Sequence, residues 1–225
     1  GLKMNPDLRL RRMTEELGYE IGLWTGEGRQ ALRLEPQDAC PSLLSEDQIS
    51  RTEVAYSASL EGRLSLVLGG SAGEGAQRAA ELLAQAAMAS GLHATKKGSY
   101  PVTVGVGFST AEVIVSRRPI LYHGIPRCDV AIITSEDGLA HNRERIEAMS
   151  EGTVWLDESL DVPESGAEVR VRDFRDRAGP RNAAIYSLLT FVEETGVIPT
   201  RAMLAAIRDS SIGEYVPAEL LEAFE

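Results

Sequence analysis

A strand, a glycine-rich turn and a helix follow one another directly between residues 64 and 91. Leu64, Leu66 and Leu68 form the short apolar run of a buried strand. Residues 76–90 are rich in strong helix formers, and Gly91 is a natural stop. The junction carries four glycines, which permit backbone angles that a side chain would block: Gly69, Gly70, Gly73 and Gly75. This unit predicts an α/β domain, because many such domains begin in this way.

The turn has two interpretations, which the sequence leaves open. Free N–H groups at the start of a helix suit a phosphate or another anion, whereas the same glycines also serve simply to bring a strand close to a helix. Glu74 opposes a bound phosphate through its charge, or it accepts from those N–H groups itself.

An ordinary dinucleotide site is disfavoured by the segment that follows the helix. In such sites an acidic residue that binds the ribose lies about 20 residues beyond the turn. The corresponding segment here, 93–97, reads His-Ala-Thr-Lys-Lys and contains no carboxylate. The sequence therefore disfavours an NAD(P)-dependent dehydrogenase.

Composition excludes several classes of function. A formal charge of -11 in 225 residues disfavours a nucleic-acid-binding surface and an anionic membrane surface. No apolar run approaches the roughly 20 residues that span a bilayer. The two cysteines, Cys40 and Cys128, form no Cys-x-x-Cys motif, and the three histidines have no metal-ligand spacing. We expect no metal site, and sparse cysteine fits the cytoplasm.

From Arg63 onward the segments alternate between strand and helix patterns. This predicts an α/β fold with a mainly parallel sheet and helices on both faces (a Rossmann-like three-layer arrangement), plus an irregular N-terminal extension. We expect an extension or linker over 1–62, with a short helix between Asn5 and Gly18, and an α/β domain over 63–225. Predicted strands cover 63–68, 92–95, 110–116, 128–134, 152–157 and 167–172, with a glycine-rich loop over 96–109. Predicted helices cover 76–90, 138–150, 182–195, 200–208 and 216–224.

Several polar residues have local structural interpretations. Ser135 or Asp137, Asn182 and Thr200 are expected helix N-caps. Asp157 is expected at a solvated strand end, and no nucleophile–base–acid arrangement is evident. We therefore predict no catalytic residue, and whether the chain is part of an enzyme stays open on these grounds.

Four ordered blocks between Arg63 and about Arg208 resemble the gamma subunit, or gamma domain, of the 2-oxoacid:ferredoxin oxidoreductases, which act on pyruvate, ketoisovalerate, 2-oxoglutarate or indolepyruvate. The turn at 70–75 stands where that family has Gly-x-Gly-Gly-Gln/Glu-Gly, with Ala72 in place of the second family glycine. The other blocks are the helix at 79–91, the segment from Tyr100 through 105–109 to Ile120, and the helix start at 179–182.

The resemblance implies an accessory domain whose complex oxidatively decarboxylates a 2-oxoacid. Thiamine diphosphate and iron–sulfur clusters are then expected on partners. These partners are alpha and beta subunits or domains that bind thiamine, and ferredoxin-like subunits or domains. Whether the chain also forms a homodimer is left open. This chain would at most bind coenzyme A. The expected cofactor-binding residues are Gly70, Ser71, Ala72, Gly73, Glu74, Gly75, Lys97, Tyr100, Gly107 and Ser109. The alternative is a stand-alone nucleotide- or acyl-CoA-binding α/β module.

Overall fold

The computed structural model describes residues 22–25, 28–31, 53–101 and 105–225. The chain divides after Arg51 into two units. In the first, β1 (Gly22–Thr25) pairs antiparallel with β2 (Gly28–Ala31). This ladder lies where the sequence predicts irregular structure. The helix expected between Asn5 and Gly18 lies outside the described residues.

The second unit is built on a six-stranded sheet. Its strands are β3 (Arg63–Ser71), β4 (His93–Ser99), β5 (Phe108–Ser116), β6 (Val130–Ile133), β7 (Thr153–Asp157) and β8 (Glu168–Arg172). Their order is β4-β5-β3-β6-β7-β8, and only β5 runs against the other strands of this sheet. The predicted, mainly parallel α/β sheet is confirmed.

The glycine-rich loop expected over 96–109 is shorter than predicted. Residues 96–99 belong to β4, and Phe108 and Ser109 belong to β5, because these two strands pair antiparallel as neighbours. Their ladder joins Lys97 to Glu112 and Ser99 to Thr110. Pairing between the strands therefore extended both of them beyond what local apolar pattern indicates.

Helices cover both faces of the sheet, as predicted. They are α1 (Ala76–Ala89), α2 (Glu136–Glu147), α3 (Phe174–Ala178), α4 (Ala183–Thr195), α5 (Thr200–Arg208) and α6 (Ala218–Glu222), with a 3₁₀ turn at Gly213–Tyr215. One core cluster joins α1, α4, α5 and α6 to Leu66 and Leu68 of β3. A second joins α2 to Val67 of the same strand. Successive residues of β3 alternate between the two cores because side chains of a strand point to opposite faces.

The predicted caps have different outcomes. The Ser135 side chain accepts from the Gly138 N–H at 3.2 Å, so this cap is confirmed. Asn182 holds the N-cap position of α4, but its backbone is helical (φ -109°, ψ -6°) and its side chain makes no cap bond. A capping side chain normally needs an extended backbone, so the predicted position is right but the expected side-chain cap is wrong. Thr200 is the first helical residue of α5, because Pro199 holds the N-cap position.

Glycines allow α2 to lie directly on β3. A Cβ built on Gly138 would come within 2.5 Å of the carbonyl carbon of Gly69, and one on Gly69 would come within 2.8 Å of Asn142 Nδ2. The side-chain amide of Asn142 donates to Thr110 Oγ1 at 3.0 Å and to the Gly138 carbonyl at 2.8 Å. Backbone contact of this kind has no room for a methyl group, so helix and strand depend on both glycines.

We predict that Gly138→Ala destabilises the domain by about 1–3 kcal/mol, because the added methyl group overpacks the β3–α2 contact. Urea unfolding followed by circular dichroism measures the change. Gly62→Ala is the matched control, since a Cβ there meets nothing within 4 Å. Equal stability of the Gly138→Ala variant and the parent would contradict the packing argument.

Candidate functional site

Several connecting segments meet at the edge of the sheet where the parallel strands end. The turn at 72–75 leaves β3, Thr134 and Ser135 leave β6, and Asp157 ends β7. The helix α3 begins two residues after β8. In open α/β sheets, ligands bind at this carboxyl edge. We therefore expect the site that the sequence predicts to lie at this edge.

The glycine turn is fixed by bonds on both sides. The Ser71 hydroxyl donates to Asp137 Oδ2 at 2.8 Å, which joins the end of β3 to the start of α2. The Ala72 N–H donates to the Gly107 carbonyl at 2.7 Å, which joins the turn to the segment before β5. Gly73 and Gly75 have φ angles of 86° and 82°, values that L side chains rarely adopt. The turn therefore needs glycine at these two positions.

The carboxylate of Glu74 is paired with Arg175 of α3. The two guanidinium Nη atoms donate to the two carboxylate oxygens at 2.8 and 2.9 Å, and one also donates to the Thr134 carbonyl at 3.0 Å. The Glu74 side chain is 15% exposed and that of Arg175 is 26% exposed. The Ser71 N–H donates to the same carboxylate at 3.3 Å. Ser71 is the last residue of β3, and α1 has no side-chain cap bond, so the alternative in which Glu74 accepts from the N–H groups at the start of the helix is not what the structure shows.

Asp157 holds Arg175 in place. One carboxylate oxygen accepts from the Arg175 backbone N–H at 2.7 Å, and the other accepts from the Ser159 N–H at 3.1 Å and from the Ser159 hydroxyl. Asp157 is 1% exposed. Its expected place at a solvated strand end was wrong, because α3 folds back over the end of β7. Hydrogen bonding to Glu74, followed by the charges of Glu74 and Asp157, raises the pKa of Arg175 against the opposing effect of burial.

The structure brings together most of the predicted cofactor-binding residues. Gly70 lies opposite Ser109 in the ladder, and the turn residues from Ser71 to Gly75 continue toward Gly107. Gln77 of α1, which sequence reasoning missed, donates to the Thr110 carbonyl at 2.7 Å and lies 3.5 Å from Ser109 Oγ. These residues form a continuous strip along the ends of β3 and β5.

Lys97 and Tyr100 lie apart from that strip in different ways. Lys97 Nζ is 3.9 Å from Glu112 Oε2, and Glu112 also binds Arg145 of α2 at 2.6 Å, so this cluster lies on the face of α2. Gln77 and Ser109 lie on the face of α1. Tyr100 directly follows β4 at the carboxyl edge and is 70% exposed. Neither side chain makes a hydrogen bond to the turn in the described part of the chain.

Sequence reasoning also missed Arg175, for which no local signal existed. It lies 101 residues from Glu74 in the chain, within a short helix that the sequence did not predict. Asp157 offered a weak signal, since it is the last residue of a buried strand at the carboxyl edge. Long-range ion pairs of this kind become visible only when the strand order is known.

A separate cavity of about 710 Å³ lies beside α2. Residues 125–129 and 148–151 line it together with His141, Asn142, Glu144 and Arg145. None of the predicted cofactor-binding residues lines this cavity. His141 stacks on Phe108 with ring centroids 3.5 Å apart, and burial followed by the charge of Arg145 lowers the pKa of His141. Among the described residues, no cluster of three His, Cys, Asp or Glu side chains is placed to hold a metal ion.

Breaking the Glu74–Arg175 pair is expected to destabilise the domain. Both groups are partly buried, so Arg175→Gln should cost about 1–3 kcal/mol by leaving the carboxylate without its partner. A double-mutant cycle with Glu74→Gln, read by urea unfolding, gives the coupling free energy. The exposed pair Arg143–Glu147, 3.8 Å apart on α2, is the matched control and should show much weaker coupling. Equal coupling in the two cycles would contradict this account.

The pKa of His141 should lie below the ordinary histidine value of about 6.5. Because its pKa is lowered in the folded protein, the unfolded chain takes up the proton first as the pH falls. The free energy of unfolding should therefore decline as the pH drops through and below about 6.5 toward the folded pKa. NMR titration of the His141 ring gives the value directly.

Arg145→Gln should raise the pKa of His141, because it removes a nearby positive charge. Arg143→Gln is the matched control, since it changes net charge equally on the same helix without being among the causes of the shift. A pKa at or above the ordinary value in the parent protein would overturn this prediction.

Among the described residues, no helix is both long and apolar enough to cross a bilayer. No curated protein is a significant match to the sequence. Solved structures do match.

The solved structures that are similar to this chain include subunits of two oxidoreductases and one larger enzyme. The gamma subunit of a keto/oxoacid ferredoxin oxidoreductase from Geobacter sulfurreducens matches with a TM-score of 0.58 at 22% identity, covering 72% of this chain and 94% of that one. The pyruvate oxidoreductase subunit PORC of Thermotoga maritima matches with a TM-score of 0.56 at 19% identity, covering 73% and 92%.

The third is the 2-oxoglutarate:ferredoxin oxidoreductase of Magnetococcus marinus, solved with 2-oxoglutarate, coenzyme A and succinyl-CoA bound. It matches with a TM-score of 0.62 at 18% identity, covering 73% of this chain and 30% of that one. At these identities the three structures establish the fold.

The family itself is established by sequence. The family model described as pyruvate ferredoxin/flavodoxin oxidoreductase matches residues 65–221, which is most of the chain. This agrees with the gamma-subunit fold and with the ordered blocks around the glycine turn, so the predicted family is confirmed. The chain belongs to the pyruvate ferredoxin/flavodoxin oxidoreductase family.

Proposed function

We propose that this chain is the gamma-type accessory domain of a 2-oxoacid:ferredoxin oxidoreductase complex. The observation that carries the proposal is the family match over residues 65–221, joined to a fold that covers 94% of the Geobacter gamma subunit. In this proposal the oxidative decarboxylation of the 2-oxoacid takes place on partner subunits or domains. The chain supplies a rigid α/β body and one ligand-facing edge.

The partners in this proposal are alpha and beta thiamine-binding subunits and a ferredoxin-like subunit or domain, which hold thiamine diphosphate and the iron–sulfur clusters. We place the complex in the cytoplasm. The residues from 1 to 62 act as an extension or linker, and 63–225 form the accessory domain. Within this range, residues 53–60 lie in the same compact unit as the domain, where the N–H groups of Ala55 and Tyr56 donate to the Ala89 carbonyl at 2.9 and 3.0 Å.

The carboxyl edge beside the glycine turn is the proposed site for coenzyme A. Support comes from the strip formed by residues 70–75 with Gly107 and Ser109, and from the coenzyme A bound in the Magnetococcus enzyme. Bound coenzyme A would supply a thiol as acyl acceptor. In this chain, the turn would orient the phosphate end, with Arg175 as its charged group. Lys97 and Tyr100 stay predictions. Tyr100 is the closer of the two in sequence to Gly107, whose carbonyl accepts a hydrogen bond from the turn.

The stand-alone nucleotide- or acyl-CoA-binding module is the competing function. It shares the same edge of the sheet and the same phosphate chemistry, but it needs no partner. Stable association is therefore the property that separates the two functions, and ligand affinity alone does not.

We expect affinity purification of the tagged full chain from its native cell to recover thiamine-binding and iron–sulfur proteins in stoichiometric amounts. The recovered complex should reduce a viologen dye with a 2-oxoacid, whereas the purified chain alone should show no turnover. Size-exclusion chromatography and metal analysis of the eluate provide the measurements.

An untagged strain and a tagged, unrelated acidic protein serve as controls for this purification. Recovery of the chain without partners, together with tight binding of a nucleotide or acyl-CoA by the monomer, would favour the stand-alone module. Oxidation of a 2-oxoacid by the purified chain would overturn the accessory role.

A further inference from the structure

Arg175 binds Glu74 in the geometry that arginine uses for a phosphate. Both Nη atoms of the guanidinium are engaged, at 2.8 and 2.9 Å, by the two oxygens of one carboxylate. Planar, two-point recognition is the reason that arginine is favoured at carboxylate and phosphate sites. The same carboxylate also accepts the Ser71 N–H at 3.3 Å. Glu74 therefore takes up a set of donors that an anionic ligand would use.

The donors have supports besides Glu74. The Arg175 backbone is held by buried Asp157 through a bond of 2.7 Å, and its side chain also donates to the Thr134 carbonyl at 3.0 Å. Ser71 is held by β3, whose ladder with β5 runs to the Ser71–Phe108 pair. Without the Glu74 carboxylate, the guanidinium keeps its bond to the Thr134 carbonyl and Ser71 keeps its place in the ladder. A site with fixed donors loses little conformational entropy when a ligand binds.

Glu74, by contrast, has access to solvent. It lies within the turn, and its side chain and that of Arg175 keep 15% and 26% of their surfaces exposed, so solvent reaches the pair. A phosphate group competes well for these donors because it carries more charge than a carboxylate and has three acceptor oxygens.

We propose that Glu74 is a displaceable internal anion, and that Arg175 is the residue which a phosphate-bearing ligand takes over from it. This proposal rests on the proposed function only for the position of the ligand, which is at the turn. The device sets a specificity: a ligand must carry enough charge to displace Glu74, so phosphates are accepted and simple carboxylates are rejected. It also keeps the Arg175 charge neutralised while no ligand is bound.

The test is isothermal titration calorimetry on the full chain with two probes, coenzyme A and inorganic pyrophosphate, and with acetate as the carboxylate comparison. Glu74→Gln should tighten the binding of both phosphate probes by about tenfold, because the competing charge is gone. Glu81→Gln is the matched control, since it removes one charge from an exposed carboxylate on α1 and should leave both affinities unchanged.

Arg175→Lys in the Glu74→Gln background should reverse most of that gain, since lysine keeps the charge but lacks the planar fork. Glu74→Asp provides a second variant should Glu74→Gln fold poorly. Its shorter side chain weakens the two-point contact, so its affinity should lie between those of the parent and Glu74→Gln. Circular dichroism and thermal melting verify the fold of each variant.

The proposal is overturned if Glu74→Gln binds the phosphate probes no more tightly than the parent chain. It is also overturned if neither protein binds them, if Arg175→Lys has no effect, or if Glu81→Gln gives the same gain. Because the titration uses the purified chain and the accessory role is tested by recovery of partner subunits, each proposal is able to fail while the other stands.

Discussion

The burial of β3 on both faces is the constraint on which the rest of this domain depends. Leu66 and Leu68 enter one core and Val67 enters the other, so helices are required on each side of the strand. The close approach of Gly69 to Gly138 then fixes the distance of α2 from the sheet. Since β3 lies between β5 and β6, these contacts also decide where the glycine turn leaves the sheet.

The carboxyl edge gathers its polar groups as a consequence of strand direction. Parallel strands end at the same edge, so the segments after β3, β6, β7 and β8 all meet there. Asp157 then anchors α3, and α3 supplies Arg175 to Glu74. A chain of local contacts thus joins four successive strand ends. The result is a pre-arranged cationic group beside a turn that an acidic side chain partly fills.

Much of the fold followed from local pattern. The run from Leu64 to Leu68, the alanine-rich helix and the continuous apolar strand around Ile132 all form where predicted. The ends of the strands were harder to predict, as β4 and β5 show, because pairing with the neighbouring strand decides how far each strand continues. The cap at Ser135 was predictable from residue type, whereas Asn182 and Thr200 depended on backbone angles that residue type does not determine.

By itself, the sequence determined the α/β class, the glycine turn and the family, because each is encoded in residues close together in the chain. The tertiary structure decided which groups surround the turn. Glu74 meets Arg175 across 101 residues, and Lys97 turns instead toward Glu112 and α2. Such partnerships depend on strand order and on the face of the sheet that each side chain occupies, and neither is written in local spacing.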